Sequence, residues 1–189
     1  GTTVTLGTDT VLSATKYSSS KVSFNLLPTG KVFIAYSYST SYYLYGLVCT
    51  ISGTTISKGT ETSLANVSNA GSTISTCVLD NGDVFIAHNY SSSYYLYGMV
   101  CNITGTNITK GTDTAINTST TYTGNGISVV VLKNNKVCII HSHTSTSSGH
   151  FLYGIICDVL NTAITLNTDT QLNSIAMSGR IISAISLSN

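Results

Sequence analysis

Apolar positions in this chain follow two different rhythms, and the rhythms recur. The stretch "KVFIAYSY" from Lys31 places Val32, Ile34 and Tyr36 on one face of a strand and Phe33 and Ala35 on the other. A strand buried on both sides loses its apolar–polar alternation. "YLYGLVCTI", from Tyr43, behaves the same way, whereas "TTISKGTETSL", from Thr54, sets Ile56 among polar neighbours as a half-solvated strand does. A fourth pattern, "KVSFNLL" from Lys21, reappears as "STISTCVL", "GISVVVL" and "RIISAISL". These predict strands A ("KVSFNLL"), B ("KVFIAYSY"), C ("YLYGLVCTI") and D ("TTISKGTETSL"). Pro28-Thr29-Gly30, Asp80-Asn81-Gly82 and Asn134-Asn135 supply hairpin chemistry between A and B.

The whole phrase repeats. "KVFIAYSYSTSYYLYGLVCTISGTTISKGTETSL" starts at Lys31, "DVFIAHNYSSSYYLYGMVCNITGTNITKGTDTAI" at Asp83 and "KVCIIHSHTSTSSGHFLYGIICDVLNTAITLNTDTQL" at Lys136. Gly7, Gly59 and Gly111 are 52 apart, and Asn167 follows after 56. The opening "GTTVTLGTDTVL" matches the tail of a unit and "SGRIISAISLSN" the head of another. The organisation is therefore a partial unit over 1–20, units over about 21–68, 69–120 and 121–174, and a partial unit over 175–189. A period of about 50 residues with four strands per unit predicts an all-β, propeller-like array of four-stranded antiparallel blades. A β-trefoil is the alternative. Fourteen predicted strands and ends that fall mid-unit favour the propeller. Terminal sheets of such an array expose apolar faces and edges, so the chain is expected to self-associate into a homo-oligomer or to belong to a longer chain.

Composition narrows the function classes. Charged residues are 8% of the chain, against a usual share of about 25%. The net charge is +1 and no basic stripe exists, which argues against nucleic acid. The apolar share of 42% excludes a disordered chain, yet no apolar run reaches the ~18 residues of a membrane span. "GTTVTLGTDT" has neither the basic nor the apolar region of a signal peptide, and a soluble chain is expected.

Candidate chemistry is sparse. Cys49, Cys101 and Cys157 occupy one position of strand C, too far apart across blades for disulfides, and with Cys77 and Cys138 they read as small buried thiols. No CxxC spacing exists and no cofactor is indicated. His88 and His141 stand where the first unit has Tyr36, and His143 stands where it has Tyr38. His141, His143 and His150 could converge on a metal, but only one unit has the trio, and aromatic-like packing is the preferred reading. Glu61, Asp113 and Asp169, with Asp9, recur at one position and read as acceptors for turn amides. "DNGD" at Asp80–Asp83 reads as a turn rather than a calcium loop. No nucleophile elbow, zinc-protease motif or P-loop occurs, and no pair of unshared carboxylates suits a glycosidase, so no enzyme is expected.

The B–C loops carry the sharper signal: "SYSTSYYLYG", "NYSSSYYLYG" and "SHTSTSSGHFLYG". Tyr gives rigid amphipathic contact at low entropic cost and Ser gives adaptable hydrogen bonds. On one rim of an array such loops would make several weak sites with avidity. The candidate ligand-binding residues are Tyr38, Tyr42, Tyr43, Tyr90, Tyr94, Tyr95, His143 and His150; the opposing reading makes them packing.

The "KVxIAY" strand followed by "YGxxxxxISGTTIxxGT" resembles repeats of bacteriophage and prophage tail-fibre or receptor-binding proteins, over nearly the whole chain. The resemblance implies a propeller-like module on a virion or cell surface, contacting bacterial surface carbohydrate or a surface protein. Without such a ligand, the same module would be structural, joining parts of a virion or cell-surface protein.

Overall fold

The computed structural model describes residues 7–13, 17–38, 43–66, 70–90, 95–118, 126–145, 149–174 and 182–185. Among them no helix occurs, and none therefore is long and apolar enough to cross a membrane. Among the described residues, fifteen strands form three antiparallel sheets of one topology. The first holds β1 (Tyr17–Leu26), β2 (Val32–Tyr38), β3 (Leu44–Ser52), β4 (Thr55–Lys58) and β5 (Thr62–Ala65). The second holds β6 (Ala70–Val78), β7 (Val84–Tyr90), β8 (Leu96–Thr104), β9 (Asn107–Lys110) and β10 (Thr114–Asn117). In the third are β11 (Ile127–Leu132), β12 (Lys136–Ser145), β13 (Gly149–Leu160), β14 (Ala163–Leu166) and β15 (Thr170–Gln171).

Strands A, B and C come out as single strands. Strand D does not: the structure splits it into two short strands that both pair with C, so each sheet has five strands rather than four. The reason lies in the neighbouring sheet. A Cβ on Gly59 would stand 2.7 Å from Thr106 Cβ and 2.9 Å from the Val48 carbonyl oxygen, so the chain must pinch inward there. The Gly59 amide stays tied to Val48 O at 2.8 Å while its flanks pair separately. Gly7 meets Thr54, and Gly111 meets Thr162, in the same way.

The A–B turns close as their residues require. Gly30 and Gly82 sit at φ +76° and +87°, and the shorter third turn uses Asn134 and Asn135 at +64° and +54°.

The three sheets pack face to face. Register puts Val32, Ile34, Tyr36, Leu47 and Cys49 on what we call the leading face of the first sheet, with Val22, Phe24 and Leu26 beside them on β1. Phe33, Ala35, Leu44, Val48 and Leu64 form the trailing face and meet Val84, Ile86, Met99 and Cys101 of the second sheet. The trailing face of that sheet, Phe85, Ala87, Leu96 and Val100, meets Val137, Ile139, Ile155 and Cys157 of the third. Every residue of β7 is buried, since this strand lies between two sheets. The loss of alternation in strand B has that cause.

Strand A of each sheet is the strand nearest its counterparts. Ser23 Oγ lies 2.7 Å from Thr76 Oγ1, and Ser75 Oγ accepts from the Val129 amide at 3.1 Å. The Ala184 amide donates to Ser128 Oγ at 2.8 Å, so residues 182–185 stand against β11 as β11 stands against β6.

Candidate functional site

Identical topology puts the ends of β2, β7 and β12 and the starts of β3, β8 and β13 at the same end of their sheets. At that end each sheet carries one polar cluster. In the second sheet His88 is fully buried and faces Asp113, with Nε2 3.0 Å from Oδ1. A carboxylate only accepts, so Nε2 carries the proton. Tyr90 donates its hydroxyl to the other oxygen of Asp113 at 2.5 Å. Tyr97, half-buried, stacks on the His88 ring at 6.0 Å between centroids and meets Tyr90 edge-on at 4.5 Å.

The third sheet repeats this with different outer partners. His141 Nε2 lies 3.0 Å from Asp169 Oδ1, Asn117 of the second sheet donates to Oδ2 at 2.8 Å, and Tyr153 stacks on His141 at 5.9 Å. In the first sheet Tyr36 donates to Glu61 and stacks on Tyr45. Glu61, Asp113 and Asp169 therefore accept from side chains of strand B, which corrects for these three the expectation that they serve turn amides. Their job is to pin the break in strand D to the buried centre of the sheet.

The electrostatics follow from this burial. Desolvation, then the hydrogen bond to and charge of Asp113, push the Tyr90 hydroxyl well above the usual phenol range. Desolvation and Asp113 also raise Tyr97. Burial opposes ionisation of Asp169, but the hydrogen bond and charge interaction with His141, followed by the hydrogen bond from Asn117, outweigh it and hold the carboxyl below its ordinary value. His143 is pushed down by desolvation and by neighbouring His141.

The predicted binding residues are distributed unevenly over this end. Tyr42 and Tyr94 lie outside the described residues, and Tyr38 is placed by its backbone at the end of β2, opposite Tyr17. Tyr43 and Tyr95 are half-buried where strand C begins, and the Tyr95 carbonyl accepts from the Tyr90 amide at 3.3 Å. Tyr90 is 9% exposed and belongs to the core between the first two sheets. His143 is half-buried, 5.1 Å from the Tyr153 ring, and His150 pairs across the hairpin with Thr144. Among the described side chains of the set, Tyr43, Tyr95, His143 and His150 are thus the partly accessible ones and Tyr90 is buried.

Two features escaped the sequence reading. The strand B–acid pairs were visible only as similar separations of 25, 25 and 28 residues. Asp83 sits in the A–B turn as expected but is 6% exposed; its carboxylate accepts from Asn102 Nδ2 at 2.9 Å and Asn81 Nδ2 at 2.8 Å, tying the turn to β8. Cys49, Cys77, Cys101 and Cys157 are buried free thiols and Cys138 a half-buried one.

No family model and no curated protein matches the chain. Among solved structures, a fucose lectin from Kordia zhangzhouensis in complex with methyl-fucoside superposes with a TM-score of 0.43 and 13% identity, covering 76% of this chain and 96% of the lectin. Similarity of that degree assigns neither fold nor ligand.

Proposed function

We propose that this chain is a non-enzymatic recognition module, a stretch of propeller-like blades presenting Tyr/Ser-rich loops on one rim to carbohydrate of a bacterial surface. A phage tail fibre or another receptor-binding protein of a virion or cell surface is the proposed setting, from the resemblance of the repeat. The propeller reading is supported by the inner strands: β1, β6, β11 and residues 182–185 all line one open groove of about 400 Å³, through Asn25, Thr76, Val130 and Ala184.

The observation that carries the recognition reading is the threefold recurrence, at the loop end, of a half-buried tyrosine held flat against a buried ring. Tyr45, Tyr97 and Tyr153 stack at 25°, 23° and 23° on Tyr36, His88 and His141. A fixed aromatic face suits the apolar C–H side of a sugar, and the surrounding hydroxyls suit its polar edge. Glu61, Asp113 and Asp169 are each engaged by side chains of the chain itself, so the reading rests on aromatic faces and hydroxyls rather than on carboxylates.

A glycan-array screen of the whole chain tests this. Binding to a defined set of bacterial surface glycans is expected, and a Tyr43→Ser/Tyr95→Ser/His150→Ser variant that keeps its fold should lose it. Absence of any glycan signal favours the second reading, a purely structural or assembly repeat. The observation on that side is Tyr90, whose ring and hydroxyl are consumed inside the chain.

A further inference from the structure

The two junctions between sheets share one design at this end but differ in which residue completes the acid. Asp113 takes its second donor from Tyr90 of its own sheet, 2.5 Å away. Tyr90 is buried in one core cluster with Ala65, a small residue paired with Leu44 at the edge of the first sheet. The next junction exchanges both residues. Asn117, at Leu96, stands where the first sheet has Ala65, and His143 stands where the second has Tyr90. Asn117 reaches across to Asp169 Oδ2 at 2.8 Å, so that acid is completed from the neighbouring sheet. The second donor does not have to come from strand B there, and the ring at that strand B position is half-buried rather than buried.

That ring is an imidazole among aromatic neighbours. His143 lies 5.1 Å from the Tyr153 ring and pairs across the hairpin with half-buried Phe151, while Tyr153 lies flat on His141. Few titratable or charged groups surround it among the described residues. His141 faces it from its own strand, Tyr153 from β13, and Asp169 from the stretch before β15. Strands β10 and β11 bring none, and His150, paired with Thr144, falls on the other face of the hairpin by alternation. Asp169 is already held by His141 and Asn117. The second sheet has a phenol at the same position, so the two ends differ in chemistry.

We propose that this end of the third sheet is a subsite for a carboxylated sugar, with the sugar ring against Tyr153 and its carboxylate paired with His143. The proposal rests on the carbohydrate reading and names the sugar class for one of its sites. It carries a dependence on pH. Desolvation and the neighbouring His141 hold the His143 imidazole below its ordinary value of 6.5, so the ring is neutral at pH 7.5 and takes a proton only in acid. A carboxylate stays ionised down to about pH 4 and favours the protonated ring. Affinity for a carboxylated sugar therefore rises as pH falls through the titration of His143, by about fivefold for a pair that water still reaches. A neutral sugar has no such gain.

The four histidines make the test direct, because each gives its own ring resonance in a nuclear magnetic resonance spectrum. The probes are methyl glucuronoside and methyl glucoside, which differ only in the carboxylate, each titrated into the whole chain at pH 5 and pH 7.5. Methyl glucuronoside should shift His143 and Tyr153, bind about fivefold tighter at pH 5, and raise the pH at which His143 titrates, while His88 stays in place. His143→Tyr, which installs the residue of the second sheet, should abolish the gain at pH 5 with the His88 resonance reporting an intact fold. The proposal is overturned if methyl glucuronoside leaves His143 unmoved at pH 5, if the two sugars bind alike at both pH values, or if His143→Tyr keeps the gain. Tyrosine shifts common to both sugars would then leave the broader carbohydrate reading standing, so the two failures are distinguishable.

Discussion

Replacing Asp113 by alanine isolates the role of the acidic residue that each unit repeats. The carboxylate accepts from His88 Nε2 at 3.0 Å and from the Tyr90 hydroxyl at 2.5 Å. Its own side chain is 23% exposed, while His88 is fully buried and Tyr90 nearly so. Truncation orphans two buried donors. Each lost charge-assisted bond is worth about 1.5–3 kcal/mol in a dry site, and the carboxylate's partial exposure argues for the low end, so about 3 kcal/mol in total is expected. For a domain of this size that corresponds to a fall in Tm of roughly 6–12 °C. Tyr90→Phe removes one donor and leaves Asp113 its contact with His88, so about 1 kcal/mol is expected. The two changes share an interaction, and the double variant should fall short of their sum by about 1 kcal/mol. Urea unfolding of the four proteins measures all of this. A loss below about 1 kcal/mol for Asp113→Ala, or strict additivity, would refute the claim that the acids anchor the sheets.

Three further outcomes follow from the same structure. Burial pushes the thiols of Cys77, Cys101 and Cys157 up to about 12, so none should react with a disulfide reagent at pH 8 in the folded chain, while five thiols should react after unfolding; rapid native reaction of these three, or fewer than five thiols unfolded, contradicts the burial. Tyr90 and Tyr97 have folded values above the ordinary phenol value of about 10, so their contribution to stability is full below pH 10 and is lost as pH rises beyond it. Ultraviolet titration should show these hydroxyls ionising only as the chain unfolds in alkali, and Tyr90→Phe should lessen that alkaline loss. Gly59→Ala should cost about 1–3 kcal/mol by calorimetry, because its Cβ meets Thr106 and the Val48 carbonyl, whereas Gly30→Ala meets nothing within 4 Å and costs only the roughly 1 kcal/mol of its positive φ.

The fold was legible in the sequence where a pattern is local. Phe33 and Phe85 mark strand B because both its faces are apolar, and the glycines 52 apart mark the unit. The break in strand D was not legible, since Gly59 is forced by Thr106, a residue of the next sheet. The same holds for the acids. Asp113 follows a Gly-Thr pair and looks like a turn residue, and only the packed sheet brings it to His88. Exposure of the tyrosines was also hidden, because a chain apolar on both faces does not say which aromatic ends between sheets. Tyr90 and Tyr95 differ in sequence context by little, yet one is in the core and the other half-buried at the loop.

The central claim, that the loop end of the sheets recognises carbohydrate, is tested most directly by nuclear magnetic resonance of the aromatic rings during titration with a bacterial surface polysaccharide that the chain retains. The account predicts that resonances of Tyr43, Tyr95, His143 and His150 shift together with those of Tyr45, Tyr97 and Tyr153, while those of Phe33 and Phe85 stay in place. Shifts confined to Phe24 and its neighbours, or to the inner strands around Asn25 and Thr76, would place the ligand elsewhere and contradict it.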